Sequence, residues 1–597
     1  MNYCYGFEPA GAGSDNKNQR RERMKTKRLI ALLLVSVLAI GLIGCGKKTN
    51  ETDSKNTSKT EDPKGSENTN PDDNKESEKE ASDGEGTSGN DATGTEDGWS
   101  WPLAEKKELS MWLQWTCNYA TDPNELVTIK KLEELTNVHI NWTTVGGQEA
   151  MEKFGLMMAS GNYPDILRGA ESYYTGGLVQ AVEDGITLDM TEYIPKYMPT
   201  YNALRTSIPK LEKDTVTDDG RLVGIYTLAS NFGEIRGERV WDGMCIRKDW
   251  LDELNMPLPV TIDDWHETLK AFKDTFNCEA PLLIGASNGY DLSHNFLSAY
   301  GVLGEFYQEN GTVKFGPLED GYKQWVQLFR DWYAEGLIDP NFTNNDATFS
   351  GSADYIGTGR AGASAAIWGV TADTYKLQGY NDDPDFFLSG VTTPVLNEGD
   401  VPQMGSSTNE MTKETLSITK NCKDVELACR WLDYWYDHDN MVLQSVGIED
   451  ETYYRDETGE YYVTDSVYDR VAAGEYPSVQ ELFSSYTLMT STFGLYNWQM
   501  LNVTARGNRA LEAYDFWDQS HFDYTLPTHI TMTPEDTAAF NTTYTAIKTL
   551  VQENTIKFIT GAQSMDDYDK FVQTLYDYGI EKCIGYKQSA LDRYNAR

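Results

Sequence analysis

The chain of 597 residues carries 93 Asp and Glu against only 6 His. Two carboxylates a few ångströms apart could cleave a glycosidic bond, one as acid and the other as base or nucleophile, yet the sequence singles out no such pair. His266-Glu267 opens like a zinc-protease helix, but Lys270 stands where the second histidine belongs. No G-x-x-x-x-G-K-[ST] string occurs, so a nucleotide loop of that type is absent. The acid clusters "NDDPDF" and "DHDN" lack the D-x-[DN]-x-[DN]-G spacing of a calcium loop and fit solvated turns, and the histidines are scattered. No catalytic metal and no cofactor are expected; a structural calcium stays open. The aromatic content suits a different chemistry: 15 Trp, 36 Tyr and 20 Phe. Aromatic faces stack on the apolar faces of sugar rings, while carboxylates and amides pair with the hydroxyls.

Most of these rings recur at helical spacing and belong to a core. Those on loops after strands are better placed, because ligands of open α/β sheets bind beyond the carboxyl ends of the strands. "SMWLQWT" reads as a strand and delivers Trp115 and Asn118; "PDILRG" reads as a short buried strand and delivers Glu171, Tyr173 and Tyr174; "GRAGASAAIWG" reads as a strand of small residues and delivers Trp368. Tyr290, Asp291 and His294 fit an exposed surface equally well.

The elements between these loops follow from periodicity. "DPNELVTIKKLEEL" predicts one helix, with Asp122 as N-cap, Glu125 closing a capping box, and Leu126, Ile129 and Leu132 facing inward. "VHINWTTV" alternates as a strand, and "AMEKFGLMMASG" places Met151, Phe154 and Met158 on one helical face with Gly161 as stop. A β-α-β-α-β run of this kind favours a mainly parallel sheet. "TIDDWHETLKAFKDTF" predicts a helix capped by Thr261 that buries Trp265, Leu269, Phe272 and Phe276, and "YKQWVQLFRDWYAEG" and "DVELACRWLDYWY" are comparable amphipathic helices.

The first hundred residues are of another kind. Six Arg and Lys between Arg20 and Arg28 precede an apolar run, Leu29 to Ile43. That run is shorter than the roughly 20 residues a helix needs to cross a bilayer and has the layout of a secretory signal. Leu42-Ile43-Gly44-Cys45 resembles the bacterial lipobox, which implies cleavage before Cys45 and a lipid on its thiol, holding the mature protein to a membrane. Met24 heads a more usual signal, so residues 1–23 read as upstream sequence from a mistaken start. Gly46 to Gly98 contains no Val, Ile, Leu, Met, Phe, Tyr or Trp. It cannot bury enough apolar surface to offset its ordering entropy and reads as a flexible tether with an end-to-end distance on the order of 40 Å. Past it the chain is too long for one core, which predicts at least two lobes. The net charge of −42 excludes nucleic acid as a partner class, since phosphates need clustered Lys and Arg. Cys117, Cys245, Cys278, Cys422, Cys429 and Cys583 show no CxxC spacing, so neither a zinc nor a redox motif is indicated, and disulfides stay open.

"GNYPDILRG", "DGRLVGIYTL", "MCIRKDWLDELNMPLPVTIDDWHETLKAFKD", "EGLIDPNF", "GRAGASAAIW" and the terminal "FITGAQSMDDYDKFVQTLYDYGIEKCIGYKQSALDRY" resemble successive landmarks of the family 1 extracellular solute-binding proteins, in the lipoprotein branch associated with oligosaccharide import. The resemblance covers nearly the whole chain after Trp101. It implies an α/β periplasmic-binding-protein-like fold (type II), with lobes joined by crossing hinge strands that close on a solute. The expected division is a signal peptide at 1–44, lipidated Cys45 and tether over 45–100, first lobe at 101–243 and 390–447, and second lobe at 244–389 and 448–597. Trp241 and Asp242, just before the "RKDWL" crossing, are placed at the hinge by the resemblance. Tyr496 and Trp498 stand where related sugar binders present another ring, and Trp368 where they place one under a sugar. The implied function is a monomeric, lipid-anchored protein on the outer face of a bacterial membrane that captures an oligosaccharide for ABC importer permease subunits. An anchored glycoside hydrolase and a peptide-binding or sensor lipoprotein are the alternatives.

Overall fold

The computed structural model describes residues 99–597 except 148, 232–233, 236–238, 241, 286–294, 345–354, 368–384, 405–406, 409–410, 458–460, 478, 490–492 and 498–508; the side chains of 231, 234–235, 239, 242, 366–367, 407–408, 412–414, 480, 496–497 and 509–512 are likewise outside its description. The leader, Cys45 and the tether therefore lie outside the described residues, as do Tyr290, Asp291, His294, Trp241, Trp368 and Trp498. Among the described residues no helix is long and apolar enough to cross a membrane.

The chain opens as the period-two and helical patterns predict. Strand β1 is Lys107–Gln114, helix α1 Val127–Thr136, strand β2 Val138–Val145, helix α2 Ala150–Ser160 and strand β3 Ile166–Arg168. Both β2 and β3 pair parallel to β1. Two local expectations fail for physical reasons. The helix expected from Asp122 is split: Asp122 caps a single 3-10 turn over Pro123–Glu125, and Leu126 is extended (φ −68°, ψ 142°) before α1 begins. Glu125 accepts from the hydroxyl of Thr121 at 2.8 Å, so no capping box closes on Asp122. On α2, Phe154 is buried with its ring edge-on to Trp112 at 5.3 Å between centroids and Met158 packs against the same cluster, while Met151 is 59 % exposed on another face.

Strands β4 (Ile225–Asn231), β9 (Met411–Ile418) and β10 (Leu495–Asn497) complete the first sheet, in the order β10-β4-β9-β3-β1-β2, with Glu234–Ile235 added beside β4. Only β9 among the six ordered strands runs against its neighbours. The carboxyl ends of β1, β3, β4 and β10 thus share one edge with the amino end of β9. A second sheet has strands β5 (Asp242–Arg247), β6 (Ala280–Leu283), β7 (Ala361–Ile367) and β8 (Leu388–Val391), in the order β8-β5-β7-β6. There β7 is parallel to β6 and β5 antiparallel to both its neighbours. Between the sheets, Arg239–Val240 pairs antiparallel with Ser407–Thr408 where two chain crossings run side by side.

Each sheet has its own core. The first joins Leu109, Met111, Ile140, Ile166, Leu228 and Ile418 to helix α6 (Val425–Asp433), the labels α3, α4 and α5 being kept for Ala170–Tyr173, Ile262–Phe276 and Asp320–Glu335. The second joins Met244, Ile246 and Val391 to Trp265, Leu269 and Phe272 of α4, Trp325, Phe329 and Trp332 of α5, and Phe558 and Cys583 near the chain's end. Helix α4 starts at the Thr261 cap its sequence predicts, and the structure adds the reciprocal bond from Asp264 that makes it a capping box. One boundary differs from expectation. Residues 448–495, assigned by sequence to the second lobe, bury Tyr453, Val467, Leu482, Phe483, Phe493 and Leu495 in the first core, and β10 pairs with β4. The chain passes to the second lobe only afterwards. There helix α7 (Arg509–Trp517) lies directly on the second sheet, where Gly390 leaves room: a Cβ on Gly390 would stand 2.6 Å from the Ala513 Cα.

Helices α8 (Pro534–Ile559) and α9 (Ile580–Asn595) follow, and α9 ends against the first lobe. Arg593 and Arg597 both donate to Asp218, each at 2.9 Å through Nε, and the Tyr594 hydroxyl donates to buried Asp214 at 2.7 Å. Arg597 is fixed further by the carbonyls of Lys213 and His529, both at 3.3 Å, and the Thr531 hydroxyl at 3.1 Å. Asp214 belongs to a helix, Pro209–Asp214, whose Leu211 sits in the first core, while Ile580 and Cys583 of α9 sit in the second. This ionic cluster therefore bridges the two cores.

Candidate functional site

The shared edge of the first sheet gathers several of the residues selected from the sequence. Chain reversal after β3 requires Gly169, whose φ of 81° favours a residue without a Cβ. Its amide donates to the Thr415 carbonyl of β9 at 2.8 Å, which turns the short helix α3 inward and brings Glu171 to β9. The Glu171 carboxylate accepts from the Thr415 hydroxyl. Tyr173, on the same helix, donates its hydroxyl to the amide oxygen of Gln114, the last residue of β1. Its ring packs edge-on against Trp112 at 5.3 Å and beside Phe154 at 5.5 Å. Half-buried Gln114, Glu171 and Tyr173 and buried Thr415 thus form one polar corner across three strands.

Tyr226, near the start of β4, completes the electrostatics. Burial pushes its hydroxyl up to about 12, and the negative charge of Glu171 adds to the effect. Two buried tyrosines hold β4 there: Tyr201 accepts from the Tyr226 amide at 3.1 Å, and the Tyr436 hydroxyl donates to the Tyr226 carbonyl at 2.5 Å. His529, from the segment before α8, meets the Tyr226 ring edge-on at 5.5 Å.

The other selected residues divide. Trp115, expected to offer a ring to ligand, is 7 % exposed and packs in the first core; its amide extends the β1–β2 pairing by donating to Val145 at 3.0 Å. Asn118 is exposed on the loop beyond. Tyr174 turns away to the helix Gly177–Glu183 and donates to its C-cap Asp184 at 2.6 Å, its hydroxyl pushed up to about 12 by burial and then by that hydrogen bond. The backbones of Asp242 and Tyr496 lie at sheet edges: Asp242 pairs with Ile367, the residue before Trp368, and Tyr496 pairs with Ala229 of β4. Gln114, Thr415, Tyr226 and His529 were not selected from the sequence. Gln114 carried a signal, since it ends the same strand as Trp115; Thr415 and His529 did not, because their approach depends on pairings hundreds of residues apart.

The corner offers hydrogen-bond acceptors, donors and ring surface. Among the described residues no three His, Cys, Asp or Glu side chains come together as a metal-holding group, and the six described cysteines are all free thiols. Gly285-Ala286-Ser287-Asn288-Gly289 has the G-x-S-x-G spacing of a hydrolase nucleophile; it follows β6, and 286–289 lie outside the described residues.

Residues 126–442, more than half of the chain, match the family model of the bacterial extracellular solute-binding proteins. The chain is 25 % identical over 527 residues, 84 % of its length and 93 % of the relative's, to the fructooligosaccharide ABC transporter substrate-binding protein FusA of Streptococcus pneumoniae serotype 4. It is 27 % identical over 330 residues, 50 % of its length and 61 % of the relative's, to the lipoprotein LipO of Bacillus subtilis. Among solved structures, the alginate-binding protein AlgQ2 without calcium superposes with a TM-score of 0.64 at 22 % identity, over 82 % of this chain and 99 % of that one. The two share a fold.

Proposed function

From a chain that belongs to the bacterial extracellular solute-binding protein family, we propose a protein that captures an oligosaccharide between two lobes and passes it intact to the permease subunits of an ABC importer. The observation that carries this reading is the corner of Gln114, Glu171, Tyr173 and Thr415 at the shared strand edge of the first sheet, where open α/β sheets take their ligands. A carboxylate, an amide and a tyrosine ring are what a sugar's hydroxyls and apolar face require. FusA, whose name states a fructooligosaccharide, supports the ligand class.

In this reading the first lobe comprises 101–243 and 390–497 and the second the remainder, with the crossings at 231–242, 391–411 and 497–509 as the hinge. Asn118, Glu171 and Tyr496 belong to the first lobe's side, and Asp242 begins the first strand of the second sheet; Trp241, Trp368 and Trp498 enter the proposal from the sequence resemblance alone. Cleavage before Cys45 and lipidation of its thiol tether the body to the outer face of the membrane through Gly46–Gly98; the likeness to the lipoprotein LipO supports this.

A glycan panel read by thermal shift tests the function, since a ligand that binds only the folded state raises the melting temperature by mass action. Fructo-, xylo-, manno-, galacto- and uronate-containing oligosaccharides are set beside peptides. The expected result is a rise with one sugar series and recovery of that sugar uncut. A rise with peptides alone overturns the ligand class, and consumption of the sugar overturns the binding-protein reading in favour of a hydrolase.

A further inference from the structure

The loop after β1 does not end at the corner described above. Beyond Trp115 it carries Asn118 and Tyr119, and Tyr119 is 36 % exposed although it lies against protein on one side. That protein is the segment 448–495, which sequence alone assigned to the other lobe. Cys117 donates its thiol to the Ser484 carbonyl at 3.3 Å, and the Tyr119 amide donates back to the Cys117 sulfur at 3.3 Å, so the loop is fixed at both ends of this short span. The Tyr119 ring meets Tyr476 at 4.9 Å between centroids, tilted by 50°. Tyr476 is itself anchored: Arg470 donates to its hydroxyl at 3.1 Å and lies 5.0 Å from its ring centre. Glu481 is a hydrogen-bond partner of the Tyr119 hydroxyl. Both hydroxyls are thus tied down, and an aromatic corner with one exposed ring stands on the loop after β1, the strand beside the one that leads into Glu171 and Tyr173.

A ring held this way loses little freedom when something stacks on it, which is why tyrosine serves well as a rigid contact. A tyrosine that only filled a gap would be covered; Tyr119 is the exposed member of a pair whose other member is braced by an arginine. We propose that Tyr119, supported by Tyr476, is an outer subsite that stacks on an additional sugar ring, so that the protein prefers longer oligosaccharides to disaccharides. This rests on the oligosaccharide reading above and adds chain length to it.

The test uses the full chain with fructo-, xylo-, manno- and galacto-oligosaccharides of two to six units, measured by calorimetry. With the series that binds, Tyr119→Ala is expected to weaken the longer members by about tenfold while leaving the disaccharide within about twofold. Tyr119→Phe, which keeps the ring, is expected to bind every length as the wild type does, and neither variant is expected to change melting without ligand. Equal affinities for Tyr119→Ala and wild type at all lengths overturn the subsite and leave the sugar reading standing. An equal loss at every length also overturns it, because the ring then belongs to the central contact. If the wild-type chain binds no member of any series, the oligosaccharide reading falls and the subsite with it.

Discussion

The polar corner at the end of the first sheet and the ionic cluster at the end of the chain both draw charged groups out of water, and they do so differently. In the cluster every partner is met: Asp218 receives two guanidiniums, Asp214 a tyrosine hydroxyl, and the 3 % exposed side chain of Arg597 is surrounded by carbonyls. In the corner Glu171, Gln114 and Tyr173 stay half-buried. An enclosed cluster holds two cores together; in the proposed function, a half-exposed corner is one that a solute can reach. The distinction matters here because aromatic and acidic residues are abundant throughout, so residue type alone does not separate a site from a strut.

Trp115 gives the largest effect. It sits at the ligand edge by sequence but is buried in the first core, so Trp115→Ala is expected to cost about 3–5 kcal/mol of stability. Denaturant melts are expected to show that loss, with sugar affinity per folded molecule unchanged. A large fall in affinity with little change in melting would return Trp115 to the site and break the rule that burial marks structure.

Arg597→Ala comes next. It removes one of two guanidiniums from Asp218 and takes a donor from two part-buried carbonyls, for an expected loss of about 2 kcal/mol, the scale of a charged hydrogen bond. Because Arg597 is enclosed, added salt is expected to shift the wild-type melt little. If salt alone reproduces the variant, the cluster is a solvated surface pair and not a strut.

Glu171→Gln tests the other half of the comparison. The amide keeps an acceptor for the Thr415 hydroxyl but lacks the charge, so sugar affinity is expected to fall by roughly tenfold, or about 1.4 kcal/mol, with stability nearly unchanged. The Tyr226 hydroxyl, relieved of the neighbouring charge, is expected to titrate lower by spectrophotometry. An unaltered affinity would remove Glu171 from the ligand contacts.

Much of this was legible in the sequence. The parallel β1, β2 and β3 followed from three segments read as strands, that of β2 by its alternation, with helical periods between them, and α4 from a Thr261 cap with four apolar residues on one face. That Glu171 and Tyr173 stand beyond the carboxyl end of β3 followed from reading a strand in the sequence before them. What the sequence did not reveal depends on distant pairing. The segment 448–495 has helical and strand patterns that suit either core, and only the β4–β10 pairing places it in the first. Thr415 meets Glu171, and Tyr476 meets Tyr119, across separations that no local period encodes. The split at Leu126 was missed for a local reason: a buried leucine in an extended conformation outweighed a good helix-starting pattern.

The smallest effect concerns a carboxylate that is enclosed like the cluster but faces backbone dipoles more than cations. Asp433, 8 % exposed at the end of α6, accepts from the amides of Tyr201 at 2.8 Å and Thr200 at 3.2 Å, capping the helix Pro199–Arg205. Burial pushes it from 3.8 up to about 6, outweighing those hydrogen bonds and the charge of nearby Arg430. The folded state then keeps a proton that the unfolded chain releases, so between the two values stability rises as pH falls. Going from pH 7 to pH 5, this one group is expected to add about 1 kcal/mol. Many other carboxylates titrate in the same window, and the comparison with Asp433→Asn isolates this one: the amide is neutral throughout and still offers an oxygen to the two backbone donors. Wild type is expected to gain stability relative to the variant between pH 7 and 5, measured by urea melts at each pH. Parallel profiles would mean that two backbone amides and Arg430 suffice to keep Asp433 charged, and that dipoles serve an enclosed carboxylate as well as the guanidiniums serve Asp218.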